Sequence, residues 1–374
     1  MFRAAAGSTA QLLQLCAGYF ASYVATGVLV KYFVSVRDPK LSEMSFLVNN
    51  TLGSAVSVLI VIVLLGWLRL KSNRMVRCGP LRLPVEAAYI IPSGVCTAVV
   101  IPTTTLMYTL PISVMVAMVI MRGSVIVISR AVDAIQIAQG ILKKRVYAEE
   151  NWAVVFAILA VAAHVVLLPL VAALEARGVP IGKSLGLNPA EAKGSFDFLG
   201  SRAAVTILGS YIAAYSIRIY LMNYFKNTRA KGIPQDNKGF FAIEQVAAGA
   251  AMVIGTAWIL SSAPTETRVI DVRAALSAPT WTAIVSGIPY GLVAFFSVFL
   301  FMFQGRTATF AGLVNRLTSL LAGTTATLLG HAFFRSSLPS ARDWISMAFI
   351  LIAVAFLTRA ERHRVAELAA PAAR

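Results

Sequence analysis

Two arginines stand inside long apolar runs of this chain: Arg122 in "MVAMVIMRGSVIVIS" and Arg316 in "RTATFAGLVNRLTSLLAGTTATLLG". A guanidinium placed in hydrocarbon costs about 3 kcal/mol or more, so an intramembrane arginine is a functional candidate by default. Its fixed fork of donors matches a phosphate or carboxylate in bidentate fashion. The chemistry these residues suggest is therefore anion recognition. On a helix of roughly 100° per residue, Ser129, Asp133 and Gln136 fall within about 40° of Arg122. Gly312, Ser319, Gly323 and Thr327, small and polar residues that leave room beside it, lie within about 60° of Arg316. At about 1.5 Å per residue, Arg122 lies about 16 Å and Arg316 about 10 Å into its run. One shared, hydrated cavity is expected from the pair.

Charge partners are the counter-reading. Asp133 follows Arg130 by three residues and can hold it locally. Glu244 is read as a structural partner of Arg316, with a proton-coupling role as the alternative. Arg218 lies eight residues before Lys226, can snorkel to the interface and is given no role. Asn49 and Asn50 in "FLVNNTL", Gln245 beside Glu244, and Tyr108, Tyr211 and Tyr215 complete the polar groups inside apolar runs. Such side chains commonly tie helices together or mark the interface. The expected substrate-binding set is Arg122, Arg316, Asn315, Gly312, Ser319, Glu244, Gln245, Tyr215, Asn49 and Asn50. Three scattered histidines and three cysteines without ligand spacing (Cys16, Cys78, Cys96) suggest neither a metal nor a disulfide framework. No acid, base and nucleophile cluster, and no nucleotide-binding loop, accompanies the arginines. No cofactor and no enzymatic activity is expected.

The elements that must position these residues are membrane helices. The chain has 374 residues, of which 58% are hydrophobic and 13% charged, against about 25% charged in a soluble domain. The charges cluster and leave apolar runs long enough to cross a bilayer. About ten spans are expected, near 10–33, 46–68, 86–107, 111–138, 152–174, 199–224, 239–262, 279–303, 309–334 and 342–360. The net charge of +17 is concentrated in 69–85, 139–151, 225–238 and the tail after 358. That places those segments and both termini in the cytoplasm and speaks for the bilayer, not nucleic acid, as partner. The sequence gives no sign of oligomeric state.

"KKRVYAEENWAVVFAILAVAA" from Lys143 and "RSSLPSARDWISMAFILIAVAF" from Arg335 share a polar turn, a tryptophan and an apolar run. Their tryptophans, Trp152 and Trp344, are 192 residues apart. The expected fold is thus all-α, with two five-helix repeats at 1–175 and 199–360, an extracytoplasmic loop at 176–198 and a cytoplasmic tail at 361–374. An odd number of spans per repeat inverts the second half, as in many secondary transporters.

"GLVNR" at 312–316 resembles the Gly-Ala-Leu-Asn-Lys motif of nucleotide-sugar transporters, with arginine in place of lysine. The two five-span halves and the basic residues of spans four and nine also resemble the drug/metabolite transporter superfamily, in its nucleotide-sugar transporter-like or EamA-like branch. The aromatic-Tyr-Asn-Asn motif of span seven reads "FFAIEQ" here, and a similar "FLVNN" stands in span two. The resemblance implies that Arg122 and Arg316, with Asn315 and Gly312 beside them, face the cavity and contact substrate phosphate. The expected function is exchange or secondary transport of an anionic, phosphorylated organic solute by alternating access. The alternatives are a general exporter of amino acids or small metabolites, which would have both arginines neutralised by Glu244 and Asp133, and an enzyme acting on lipid-linked phosphate.

Overall fold

The structure is a computed structural model that describes residues 8–72, 74–78, 81–142, 146–165, 167–179, 198–229, 236–263, 265–303, 308–336 and 338–369. Its helices are α1 (Thr9–Lys31), α2 (Glu43–Leu64), α3 (Ala87–Thr109), α4 (Val114–Ala138), α5 (Ala148–Val165), α6 (Leu167–Ala176) and α7 (Arg202–Asn227), followed by α8 (Asn237–Ser262), α9 (Thr267–Ser277), α10 (Trp281–Val285), α11 (Gly287–Phe301), α12 (Ala308–Phe334) and α13 (Ala341–Ala369). Among the described residues, nine helical segments are long and apolar enough to cross a membrane. They correspond to α1, α2, α3, α4, α7, α8, α10 with α11, α12 and α13. The remaining expected span, 152–174, falls on α5 and α6, whose junction at residue 166 lies outside the described residues. The chain is an integral, multi-pass membrane protein.

Local sequence explains where the helices begin. Ser8, Ser42, Ser113, Ser201 and Asp236 cap α1, α2, α4, α7 and α8, each side chain accepting from a backbone N–H of the first turn. On α8, Val253, Ile254 and Trp258 are about two-thirds exposed. That is a liability in water but the ordinary outward face of a helix in lipid.

Three features differ from the expected plan. A two-stranded antiparallel hairpin, β1 (Met75–Cys78) and β2 (Leu81–Pro84), occupies the basic segment between α2 and α3. Helix α9 lies in the segment between α8 and α10 and packs on α2. Helix α13 continues through Ala369, where a tail was expected from residue 361. Its last turns are anchored: Arg364 pairs with Glu150 and Glu361, and Tyr147 donates to Glu367 at 2.6 Å. Most of the expected 176–198 loop lies outside the described residues.

Helix α3 packs against α7 and α8, and α11 packs against α1 and α2. Helix α4 packs against α5 and α7, and α12 packs against α13 and α1. Two close approaches set these contacts. At Gly53 of α2, an added Cβ would lie 1.7 Å from the carbonyl oxygen of Ile284. At Gly94 of α3, it would lie 2.6 Å from the carbonyl oxygen of Glu244 on α8. Small residues let membrane helices meet backbone to backbone in this way.

Candidate functional site

Helices α1, α2, α3, α4, α7, α8 and α11 enclose a mid-bundle cavity with about 50 Å³ open to water centres, room for a few waters. Its polar wall includes Arg122, Arg218, Gln245, Tyr23, Tyr211, Tyr215 and Tyr290. Arg122 is buried. One terminal nitrogen donates to the Tyr23 hydroxyl and, at 3.4 Å, to the Tyr19 hydroxyl. The guanidinium carbon stands 5.3 Å from the centroid of the Tyr23 ring, within cation–π range. Its Nε is buried without a hydrogen-bond partner, and no carboxylate among the described residues pairs with it. Tyr19 donates to Asn315 Oδ1 at 3.1 Å, and Asn315 Nδ2 donates to Ser297 on the cavity wall at 3.4 Å. Asn315 thus joins the Arg122 network indirectly.

Arg218 corrects two expectations. It does not snorkel: it is buried at the same cavity, and it, not Arg316, is the partner of Glu244. The fork is bidentate, with Arg218 Nε to Glu244 Oε1 and Arg218 Nη2 to Oε2 both at 2.9 Å. Ser93 and Thr97 of α3 also donate to Oε1, at 2.7 and 3.2 Å. Glu244 is fully buried and its oxygens accept four hydrogen bonds, the environment of a fixed carboxylate counter-ion. The pair exists because α7 and α8 both pack on α3, bringing residues 26 positions apart in sequence to one point.

Arg316 also departs from expectation, because it does not line the mid-bundle cavity. It lines a second cavity at the bundle end where α4, α7 and α11 finish, with about 80 Å³ open to water centres. There it donates to the Ser129 hydroxyl and, at 3.4 Å, to the carbonyl of Val125, while its Nε has no partner. Ser129 follows Arg122 by seven residues on α4, so the two guanidinium sites are offset by about 10 Å along that helix. The expected single cavity is therefore two, stacked along α4. Asp133 and Arg130 line the second cavity, where Arg130 Nε donates to Asn151 at 3.2 Å.

The small-residue stripe of α12 is a packing seam rather than a hydrated wall. Ser319 donates to the carbonyl of Arg316 at 2.8 Å and is fully buried. The Thr327 hydroxyl accepts from Met115 N of α4 at 3.0 Å, and an added Cβ on Gly323 would lie 2.6 Å from Met118 Cγ. Gly312 falls in the second turn of the same helix. Gln136 donates to the carbonyl of Tyr220 at 2.9 Å. Asn49 accepts from Thr280 N at 2.9 Å and Asn50 donates to Ser286 at 3.2 Å. These asparagines fasten α2 to the start of α10 and α11 and line neither cavity. Tyr108 donates to Met118 Sδ at 3.2 Å and is buried behind the mid-bundle cavity without lining it.

Tyr19, Tyr23, Tyr290 and Arg218 were not anticipated as site residues, although a signal was present. Tyr19 and Tyr23 are spaced i, i+4, as are Tyr211 and Tyr215, with Arg218 three further on the same face. The tyrosine pairs are separated by the same 192 residues that separate Trp152 from Trp344. No family model matches the chain, and no curated protein matches it. A solved structure described only as "Crystal structure of protein" aligns with 95% of this chain and 99% of its own, at 16% identity and a TM-score of 0.43. That likeness is too slight to carry an argument.

Proposed function

We propose that this chain is a secondary transporter or exchanger of an anionic, phosphorylated organic solute, working by alternating access on the plan of the drug/metabolite transporter superfamily. Two inverted five-helix repeats are the architecture this reading requires. The helix packing supports it: shifting each span by five turns the α3 contacts with α7 and α8 into the α11 contacts with α1 and α2. The same shift turns the α4 contacts with α5 and α7 into the α12 contacts with α13 and α1. The recurring tyrosine pairs support it as well. The basic segments 69–85, 139–151 and 225–238 would then face the cytoplasm with both termini.

The observation that carries the reading is Arg122, a buried guanidinium in a tyrosine-lined cavity with an unused N–H and no carboxylate. A positive charge so placed is stabilised when an anion enters. The test is counterflow in proteoliposomes with sugar nucleotides, sugar phosphates and amino acids, comparing Arg122→Ala with Arg268→Ala, an exposed residue of α9. Loss of anion exchange in Arg122→Ala alone supports the proposal, and equal rates overturn it.

The small mid-bundle volume favours a second reading, export of amino acids or other small metabolites. That reading needs the arginines neutralised: Glu244 does so for Arg218, Asp133 lines the Arg316 cavity and attracts it, and Arg122 has no carboxylate partner among the described residues. Transport confined to uncharged or cationic solutes would decide for it. Orientation is checked separately. In intact cells, cysteine at Arg268 should react with an impermeant thiol reagent, and cysteine at Lys71 should react only after lysis. The reverse pattern would invert the topology.

A further inference from the structure

The cavity at the end of α4, α7 and α11 is a polar chamber inside the bundle, walled by α4, α5, α7, α11, α12 and α13. Arg130, Lys226 and Arg316 line it, against Asp133 and Glu150. Glu150 is held by Arg364, and Arg130 is used on Asn151. The other two cations keep unmet donors among the described residues. Arg316 donates to Ser129 and Val125 and is attracted by Asp133, but it is 6% exposed with its Nε unpartnered, and the Lys226 Nζ is buried without a hydrogen-bond partner. Unmet donors on two cations at one chamber cost free energy that an oxyanion with several acceptor oxygens would offset. A Ser129 hydroxyl and Asn223 on the same wall supply neutral hydrogen-bonding groups.

The geometry points to a second anion site, separate from the Arg122 cavity, in which Arg316 and Lys226 bind a phosphate-like oxyanion about 10 Å from Arg122 along α4. Its place as a waystation between the basic end and the mid-bundle cavity rests on the transport reading above; binding at the site does not. A phosphoryl group passing between the two would exchange one guanidinium for the other without crossing an uncharged stretch of the bundle. Ser129 sits at the junction, because it accepts from Arg316 on the same helix that carries Arg122.

Inorganic pyrophosphate is the probe, titrated calorimetrically against the purified full chain in phosphatidylcholine nanodiscs. The Arg122→Gln chain is the parent for each further variant, because it removes the mid-bundle guanidinium and leaves the remaining binding to this site; pyrophosphate binding should persist in it. Lys226→Gln should weaken it about tenfold or more, the scale of a lost hydrogen bond to a charged group. Ser129→Asp is the second arm: it sets a carboxylate against Arg316, which should keep the fold and abolish binding. Equal affinity in that parent and in its Lys226→Gln and Ser129→Asp derivatives overturns the site. Loss of binding in Arg122→Gln also overturns it, by making the two cavities one site. Repeating the titration in phosphatidylglycerol nanodiscs separates the sources of phosphate. Competition confined to that lipid identifies a headgroup as occupant of this site, and unchanged affinity identifies a free solute. If pyrophosphate binds as stated but no anion is transported, only the transport reading fails.

Discussion

The mid-bundle cavity has two walls that treat a buried arginine in opposite ways. On the α7–α8 wall, Arg218 is locked in a bidentate pair with Glu244, and two hydroxyls of α3 complete the carboxylate. On the α1–α4 wall, Arg122 has only tyrosines: one ring in cation–π range and two hydroxyls accepting from one nitrogen. The second wall is the underdetermined one. A buried ion pair is weak evidence for stability but is strongly destabilising when half of it is removed. An unpaired cation held by hydroxyls is a cost the fold accepts, and costs of this kind collect at sites that bind charge. The contrast assigns Arg218 to holding the wall; under the proposed transport reading, Arg122 is the group that meets the solute.

The largest effect expected is on stability. Glu244→Ala leaves a guanidinium buried without its counter-ion and should cost about 3–5 kcal/mol. It should appear as a large fall in the apparent Tm of the purified protein. Replacing both partners, Arg218→Met with Glu244→Leu, should recover much of that loss, since the penalty lies in the orphaned charge. If Glu244→Ala unfolds no earlier than Arg122→Ala, the two walls do not differ as described.

Next in size is the functional counterpart. Arg122→Ala breaks no ion pair and gives up only hydrogen bonds to Tyr19 and Tyr23, so its Tm should fall by a few degrees, far less than that of Glu244→Ala. Its exchange of anions should fall about tenfold or more, the scale of a hydrogen bond to a charged group. Arg122→Lys should fall less, because it keeps the charge and loses the fork. A Tm that falls as far as that of Glu244→Ala would mark Arg122 as structural, the role assigned to Arg218.

The sequence carried these two walls unequally. The helices were legible because bilayer thickness and hydropathy together set their length, as α8 and α12 show within a few residues of the expected spans. Arg122 was legible because a charge deep in an apolar run has no interface within reach. Arg218 was not, because Lys226 two turns away suggests an interface within snorkelling distance. Its partner was missed for a different reason: helix periodicity says which residues share a face, but not which helix that face meets. The same gap explains the α12 stripe, where Ser319, Gly323 and Thr327 share a face as expected but press it onto α4 and the helix's own backbone.

A smaller effect tests how far the ion pair of the α7–α8 wall reaches into the helix packing. Gly53 against Ile284 joins α2 to α10, and Gly94 against Glu244 joins α3 to α8. Alanine at either should cost about 1–3 kcal/mol through overpacking, read as a lower Tm. Gly94→Ala also pushes on the backbone that carries Glu244. Its loss should therefore be non-additive with Glu244→Ala, whereas that of Gly53→Ala should add. Additivity at both positions would detach the α3–α8 seam from the ion pair.

The smallest effect separates two tyrosines that recur at the same offset, Tyr23 on α1 and Tyr215 on α7. Both rings lie near an arginine, with Arg122 5.3 Å from the Tyr23 centroid and Arg218 5.9 Å from that of Tyr215. Their hydroxyls differ. Tyr23 accepts from Arg122, whereas the Tyr215 hydroxyl makes no hydrogen bond among the described residues, although the residue lines the cavity. Tyr23→Phe removes an internal bond to a charged group, so it should lower the Tm by a few degrees. Tyr215→Phe removes only a group on offer to a solute. It should leave the Tm unchanged and raise the KM for exchange about two- to tenfold, the scale of one hydrogen bond of roughly 0.5–1.5 kcal/mol. If instead Tyr215→Phe lowers the Tm and Tyr23→Phe does not, the internally bonded hydroxyl is on the α7 wall, and the solute-facing assignment passes from Arg122 to Arg218.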